Sequence, residues 1–299
     1  MPTAYSYVWC DVFAGRPLAG NQLCVFTEAV SLADQAMVRL TRELGHSETT
    51  FLQPPTQPGA TARLRIFVPS GAGAFEVPFA GHPILGSACA LAAGRTVPST
   101  VTFETGAGLI PVRVEPLGDG IWEASMQQPF PRIVWSRPYI AGLAEALGLA
   151  PSDIAPGLPV EAVDNAMQTV IIPLVSVAAV DRCEPDLGRL RELLGRDGLC
   201  TLLFAPGGIE QGSDLHCRVF SPFDLVSEDP ATGSANGPLG DYALRHGIID
   251  KGELVSEQGD RLGRPSRIRI IIETDENGNT RTIHVAGRVQ QLGSGFFTI

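Results

Sequence analysis

Most of the chain reads as short runs rich in apolar and β-branched residues. The runs are bounded by glycine, proline, asparagine or aspartate. This pattern predicts strands over 62–67, 100–104, 109–114, 121–126, 169–173, 215–221, 267–272 and 281–285, with a hairpin turn at Asn277-Gly278. Helical spacing is scarcer. Leu32, Met37, Leu40 and Leu44 predict a helix over 31–44, capped by Ser31 and stopped by Gly45. A second helix is expected just after Gly81-His82, through 86–92, and it is apolar all round, so it should be buried. A counterpart follows Gly233-Ser234 through 239–245 and ends at Gly247. Shorter helices fit 140–147 and 187–194.

The two buried helices belong to a repeat. Arg65-Ile66-Phe67-Val68-Pro69 returns half a chain later as Arg218-Val219-Phe220-Ser221-Pro222. Each copy precedes a second signal, Pro78-Phe79-Ala80-Gly81-His82 and then Pro230-Ala231-Thr232-Gly233-Ser234. Such a repeat predicts two equivalent lobes, 1–128 and 129–299, with the final strand near 289–299 returning to the first. Gln128-Pro129-Phe130-Pro131 is the expected crossing. A cleft between lobes is the usual place for a small-molecule site. The copies differ in chemistry: His82 answers to Ser234, and Val77 to Asp229.

Composition narrows the function classes. Hydrophobic residues make up 44% and charged residues 18%, which suits packed cores and not disorder. The net charge of −10 disfavours a nucleic-acid partner. The start of the chain has no basic segment before Arg16, so a secretory signal is not expected. The apolar stretch 165–180 is interrupted by Gln168, Thr169, Pro173 and Ser176 and is too short for a membrane span. A cytoplasmic protein is expected. The six cysteines form no CxxC pair and are expected buried and reduced, and the five histidines are scattered, so no metal site is expected.

Two helix starts preceded by small residues offer backbone N–H groups and partial positive charge to an anion such as a substrate carboxylate. Ordinary strand-to-helix turns would have the same sequence. Asp229 could accept a hydrogen bond from a substrate amine or hydroxyl, or could simply cap the helix with the nearby serines. His82 could bind substrate or transfer a proton, or be a satisfied core histidine. Glu48 enters an apolar strand directly after a helix. Desolvation there would raise its pKa towards the range useful for proton transfer; the ordinary alternative is an exposed strand edge. Phosphate-cradling and nucleophile-elbow motifs are absent, so cofactor-free chemistry is the simplest reading.

Taken together, Asp11-Val12-Phe13 with Gly20-Asn21, Ser47-Glu48-Thr49-Thr50-Phe51, Pro78-Phe79-Ala80-Gly81-His82-Pro83, Ser125-Met126-Gln127-Gln128-Pro129, Glu228-Asp229-Pro230-Ala231-Thr232-Gly233-Ser234-Ala235 and Glu257-Gln258-Gly259 with Gly263-Arg264-Pro265-Ser266 resemble the phenazine-biosynthesis PhzF-like family. The resemblance covers essentially the whole chain. It implies an α+β, diaminopimelate epimerase-like fold of two pseudosymmetric lobes, each an antiparallel β-barrel-like roll around a central helix. It also implies a homodimer, a small carboxylate substrate and no cofactor. The two facing cysteines of that fold's epimerases have no counterpart here. By resemblance, the reaction isomerises trans-2,3-dihydro-3-hydroxyanthranilate or a related cyclic amino or hydroxy acid. Glu48 is then the proton shuttle, His82, Asp229 and Ser234 hold the substrate, and Gly81 and Gly233 supply backbone N–H groups. A one-base amino-acid epimerase and a non-catalytic metabolite-binding protein are the alternatives. The link 70–77 looks like a loop longer than in the phenazine isomerases, leading to His82, and Asp164–Gln168 also departs from their pattern.

Overall fold

The computed structural model describes residues 3–71, 73–93, 99–223, 226–250 and 252–299. The chain divides into two compact units. The first comprises Met1–Gln127, Asp224–Val226 and Val285–Ile299, and the second Gln128–Phe223 and Ser227–His284.

In the first unit the elements are β1 (Ala4–Val12), β2 (Asn21–Phe26), α1 (Asp34–Leu44), β3 (Thr49–Gln53), β4 (Ala62–Ser70), β5 (Gly73–Val77), α2 (Gly81–Ala92), β6 (Thr100–Thr105), β7 (Gly108–Gly118) and β8 (Ile121–Gln127). The second unit carries β9 (Arg132–Arg137), α3 (Leu143–Ala146), β10 (Val160–Asp164), β11 (Gln168–Pro173), α4 (Val177–Asp181), α5 (Leu187–Leu194), β12 (Cys200–Pro206), β13 (Leu215–Phe220), β14 (Glu228–Asp229), α6 (Gly233–Arg245), β15 (Glu253–Gln258) and β16 (Ser266–Thr274). The last strand, β17 (Thr280–Thr298), begins there. Its residues from Val289 onward pair with β1 in the first unit.

The sequence repeat is a repeat of topology. In the first unit β2 runs parallel to β3, β3 is antiparallel to β4, and β4 is parallel to β6. In the second, β11, β12, β13 and β15 follow the same succession of parallel, antiparallel and parallel pairs. Each parallel pair needs a crossover, and helices supply it. The last crossover of each unit is the buried helix. All twelve residues of α2 are buried, and it packs against β1, β2, β3, β4, β7 and β8. Gly86 makes that approach possible, because a Cβ there would lie 2.6 Å from Leu23 Cδ2. In α6, residues 233–243 are buried, and Tyr242 packs edge-on against Phe204 of β12 with its hydroxyl donating to Pro159 O. Burying each large apolar side chain of these helices contributes roughly 1.5–3 kcal/mol.

The repeated arginines are scaffold. Arg65 binds Glu76 on β5 through two nitrogens and also meets Asp34 at the start of α1. Arg218 grips Glu228 on β14 in the same two-pronged way. It also donates to the carbonyls of Val180 and Cys183 at the end of α4.

Three local expectations are corrected. The link 70–77 is largely strand: β5 pairs with β4 from Ser70↔Gly73 to Ile66↔Val77, and it packs beside α1. Ala72 lies outside the described residues. Ser31 does not cap α1, which begins at Asp34, because the Ser31 hydroxyl turns to Tyr5. The helix expected over 140–147 shrinks to α3, since Gly142 sits in the left-handed region (φ 78°). The six cysteines are buried, and none is in a disulfide. Among the described residues no helix is long and apolar enough to cross a membrane.

Candidate active site

The first unit places Glu48, Gly81 and His82 together. Glu48 lies between α1 and β3, and His82 is the second residue of α2, where Pro83 is tolerated because first-turn N–H groups have no helical acceptor. His82 Nε2 stands 3.5 Å from Glu48 Oε2, with the two side chains 2% and 15% exposed. Glu48 is therefore not the exposed edge glutamate that its position allowed. On the other side of the ring, Asn21 Nδ2 is 3.0 Å from His82 Nδ1. Asn21 is put there by a strained turn. Phe13 and Leu18 adopt positive φ, the Leu18 amide donates to Asp11 Oδ2 at 2.7 Å, and Gly20 (φ 67°) closes the turn. This accounts physically for the pairing of Asp11-Val12-Phe13 with Gly20-Asn21.

Burial pushes the His82 pKa down to about 3, helped by His46 and opposed weakly by the backbone of Gln22. His82 is thus neutral near pH 7 and serves as an oriented polar group. The sign for stability follows. The unfolded chain takes up a proton near pH 6.5 that the native site resists, so this group costs stability as pH falls from about 6.5 towards 3. Urea unfolding at several pH values should show wild type losing ground to His82→Gln across that window. Parallel curves would contradict the assignment.

The second unit places Asp229, Gly233 and Ser234. The α6 N-cap is Thr232, and its side chain makes no capping bond; instead its hydroxyl donates to Asp229 Oδ2 at 2.6 Å. One side chain organises the whole turn. Gln258 Nε2 donates to Asp229 O and Thr232 Oγ1, and Gln258 Oε1 accepts from the Thr232 amide and from Asn236. Ser266 Oγ donates to Pro230 O at 3.0 Å. The separated motifs around Gln258 and Ser266 are thus a bracket for the Asp229–Thr232 turn.

Behind the α6 start sits a second support that sequence reasoning missed. Pro238 has no N–H, so the Ser234 carbonyl four residues earlier lacks its helical donor. Asn165 Nδ2 replaces it at 2.9 Å, and Gln128 Nε2 donates to Gly233 O at 2.7 Å. Proline four residues after Ser234 was the signal. Asn165→Ala should cost about 1–3 kcal/mol by stranding a buried carbonyl. In a double-mutant cycle Pro238→Ala, which restores a donor, should remove much of that cost. Full additivity would contradict it.

Both helix starts can receive an anion, since neither Ala80 nor Thr232 caps with a side chain. Among the described residues, His216, Glu257 and Asp260 could hold a cation, with ligand atoms within 4.8 Å of one another. The imidazole is already engaged on both sides, at 2.8 Å by Glu257 Oε1 and at 3.1 Å by Asp181 Oδ1. The arrangement is that of a histidine bridging two carboxylates.

The sequence profile of the phenazine biosynthesis-like proteins (PhzC-PhzF) matches residues 10–294. A Pseudomonas aeruginosa protein named trans-2,3-dihydro-3-hydroxyanthranilate isomerase is 41% identical, over 88% of this chain and 89% of its own length. Among solved structures, one described as a predicted epimerase from Pseudomonas aeruginosa is 32% identical with a TM-score of 0.79. It covers 98% of this chain and 99% of that one. A PhzF-family phenazine biosynthesis protein from Bacillus anthracis superposes with a TM-score of 0.86 over 99% and 100% of the two chains at 24% identity, which shows a shared α+β fold. The chain belongs to the phenazine biosynthesis-like family and is an enzyme of the isomerase class.

Proposed function

We propose that this protein isomerises trans-2,3-dihydro-3-hydroxyanthranilate, or a closely related cyclic amino or hydroxy acid, by moving one proton between carbons without a cofactor. The observation that carries the proposal is the half-buried Glu48 carboxylate beside His82, in a chain 41% identical to a relative bearing that name. In the proposed reaction Glu48 takes a proton from one ring carbon, the double bonds shift, and the same carboxyl returns a proton at another carbon. The enol so formed tautomerises to a ketone. A single carboxylate suffices because nothing is gained or lost overall. His82, Asp229 and Ser234 hold and polarise the substrate, and the amides of Gly81 and Gly233 receive its carboxylate. A cytoplasmic homodimer belongs to the same proposal.

Substrate-dependent deuterium uptake from heavy water tests it. Uptake at a ring carbon, accompanied by a change in ultraviolet absorbance, is the expected result. The 32% identity to a protein described as an epimerase favours one second reading, a one-base epimerase. That reading would show loss of the chiral signal at constant absorbance. Ligand binding with no carbon exchange from any candidate would sink both.

A further inference from the structure

We propose that Thr232 is a positioning residue that acts through Asp229: its hydroxyl proton pins one carboxylate oxygen, so that Asp229 meets the substrate's amino group as an oriented acceptor. The proposal rests on the substrate-holding role of Asp229, and its test separates the two. Backbone groups settle the direction of every hydrogen bond in the turn. The Thr232 amide can only donate, and it meets Gln258 Oε1 at 3.0 Å. The Asp229 carbonyl can only accept, and it meets Gln258 Nε2 at 2.6 Å. Turning the Gln258 amide over would set nitrogen against the N–H and oxygen against the carbonyl, so its orientation is fixed. Gln258 Nε2 gives its second hydrogen to Thr232 Oγ1 at 3.0 Å. The hydroxyl has one proton of its own. With its oxygen receiving Gln258, that proton goes to Asp229 Oδ2 at 2.6 Å, a distance typical of a hydroxyl on a carboxylate.

The surroundings hold this arrangement still. Thr232 and Asp229 are buried, and Gln258 and Asn236 are fully so. Asn236 Nδ2 donates to Thr232 O at 3.0 Å and to Gln258 Oε1 at 3.2 Å, which agrees with the same orientation. A threonine at a helix N-cap usually turns its oxygen to an amide of its own first turn. Thr232 makes no such bond, and its hydroxyl is directed to Asp229 instead. With one oxygen pinned, the carboxylate plane is set, and so is the direction from which it receives a substrate N–H. Without the hydroxyl the carboxylate can turn about its last torsion. The amino contact then weakens, while a substrate carboxylate held by backbone amides is untouched.

Calorimetric titration with two stable aromatic analogues of the proposed substrate reads this selectively. 3-Hydroxyanthranilate carries the amino group, and 3-hydroxybenzoate is the same ring without it. Wild type should prefer the first. Thr232→Val keeps the shape and loses the hydroxyl, and it should reduce that preference by about 10–100-fold, the loss of one hydrogen bond to a charged group. Thr232→Ser should restore it. Thr232→Ala serves if the valine variant does not fold. An unchanged preference, an equal loss of affinity for both compounds, or no recovery with serine would each overturn the role of Thr232. If wild type binds neither compound, or both alike, the role assigned to Asp229 fails. Crystal structures then still decide the role of Thr232: the Asp229 carboxylate should be turned in Thr232→Val and in place in Thr232→Ser. A carboxylate left in its wild-type orientation by the valine variant would overturn the proposal.

Discussion

Glu48→Gln should lose about 10²–10⁴-fold in turnover, the range supplied by a positioned acid or base, while the fold and substrate binding survive. The reasoning is local. Glutamine has nearly the shape of glutamate, and its Oε1 can still face His82 Nε2. An amide cannot take up and return a proton near neutral pH, so the proposed shuttle is removed with almost nothing else. Stability should move by less than about 1 kcal/mol, because the carboxylate is partly exposed and its imidazole neighbour is neutral. Two measurements separate the outcomes. Single-turnover kinetics should show the loss in the chemical step, and deuterium uptake from heavy water should vanish with it. Glu48→Asp, whose carboxylate is one methylene shorter, should retain more activity than the amide. Turnover within tenfold of wild type in Glu48→Gln would mean that another group carries the proton.

The scaffold around that carboxylate was far more legible than its partners. A run rich in isoleucine located β16, where Ser266, Ile268, Ile270 and Ile272 are buried and alternate with half-buried neighbours. Helical spacing located α5 to the residue. The repeated arginine strands announced the repeated topology because each arginine must meet a carboxylate on the strand that follows. Weak local signals failed. β5 shows no apolar alternation, since none of its residues is fully buried, so it looked like a loop. α3 yielded to Gly142, a local backbone break, and the start of α1 to the Ser31–Tyr5 contact, a tertiary matter.

Glu48 and His82 could be nominated as candidates from position. Asn21, Asn165 and Gln258 could not be given roles, because each acts on a group 29 or more residues away, and no period or spacing encodes such a contact. Only Pro238 left a trace, as a missing donor that something had to replace.

Gly259→Ala should be strongly destabilising, costing about 3 kcal/mol or more. Two effects add. The residue has φ +87°, where a side chain costs roughly 1–2 kcal/mol. The new Cβ would also lie 2.4 Å from Arg264 O and 2.5 Å from Pro230 O, and both are backbone atoms that no rotamer change can move. The carbonyl of Gly259 already accepts from the amides of Leu262 and Arg264, so the turn cannot shift alone. The clash is therefore relieved by pushing Pro230 away, and Pro230 follows Asp229 in the turn that Gln258 and Ser266 bracket. Activity should fall along with stability, even though Gly259 is not proposed to touch substrate. Gly278→Ala is the control. It has nearly the same φ, +80°, but nothing within 4 Å of the added methyl, so only the conformational cost remains. Urea unfolding of both variants reads the difference, with the Gly259 variant expected at least about 1.5 kcal/mol less stable than the control. Equal stabilities would show that the Pro230 turn yields freely. The bracket would then not be what holds Asp229 in place.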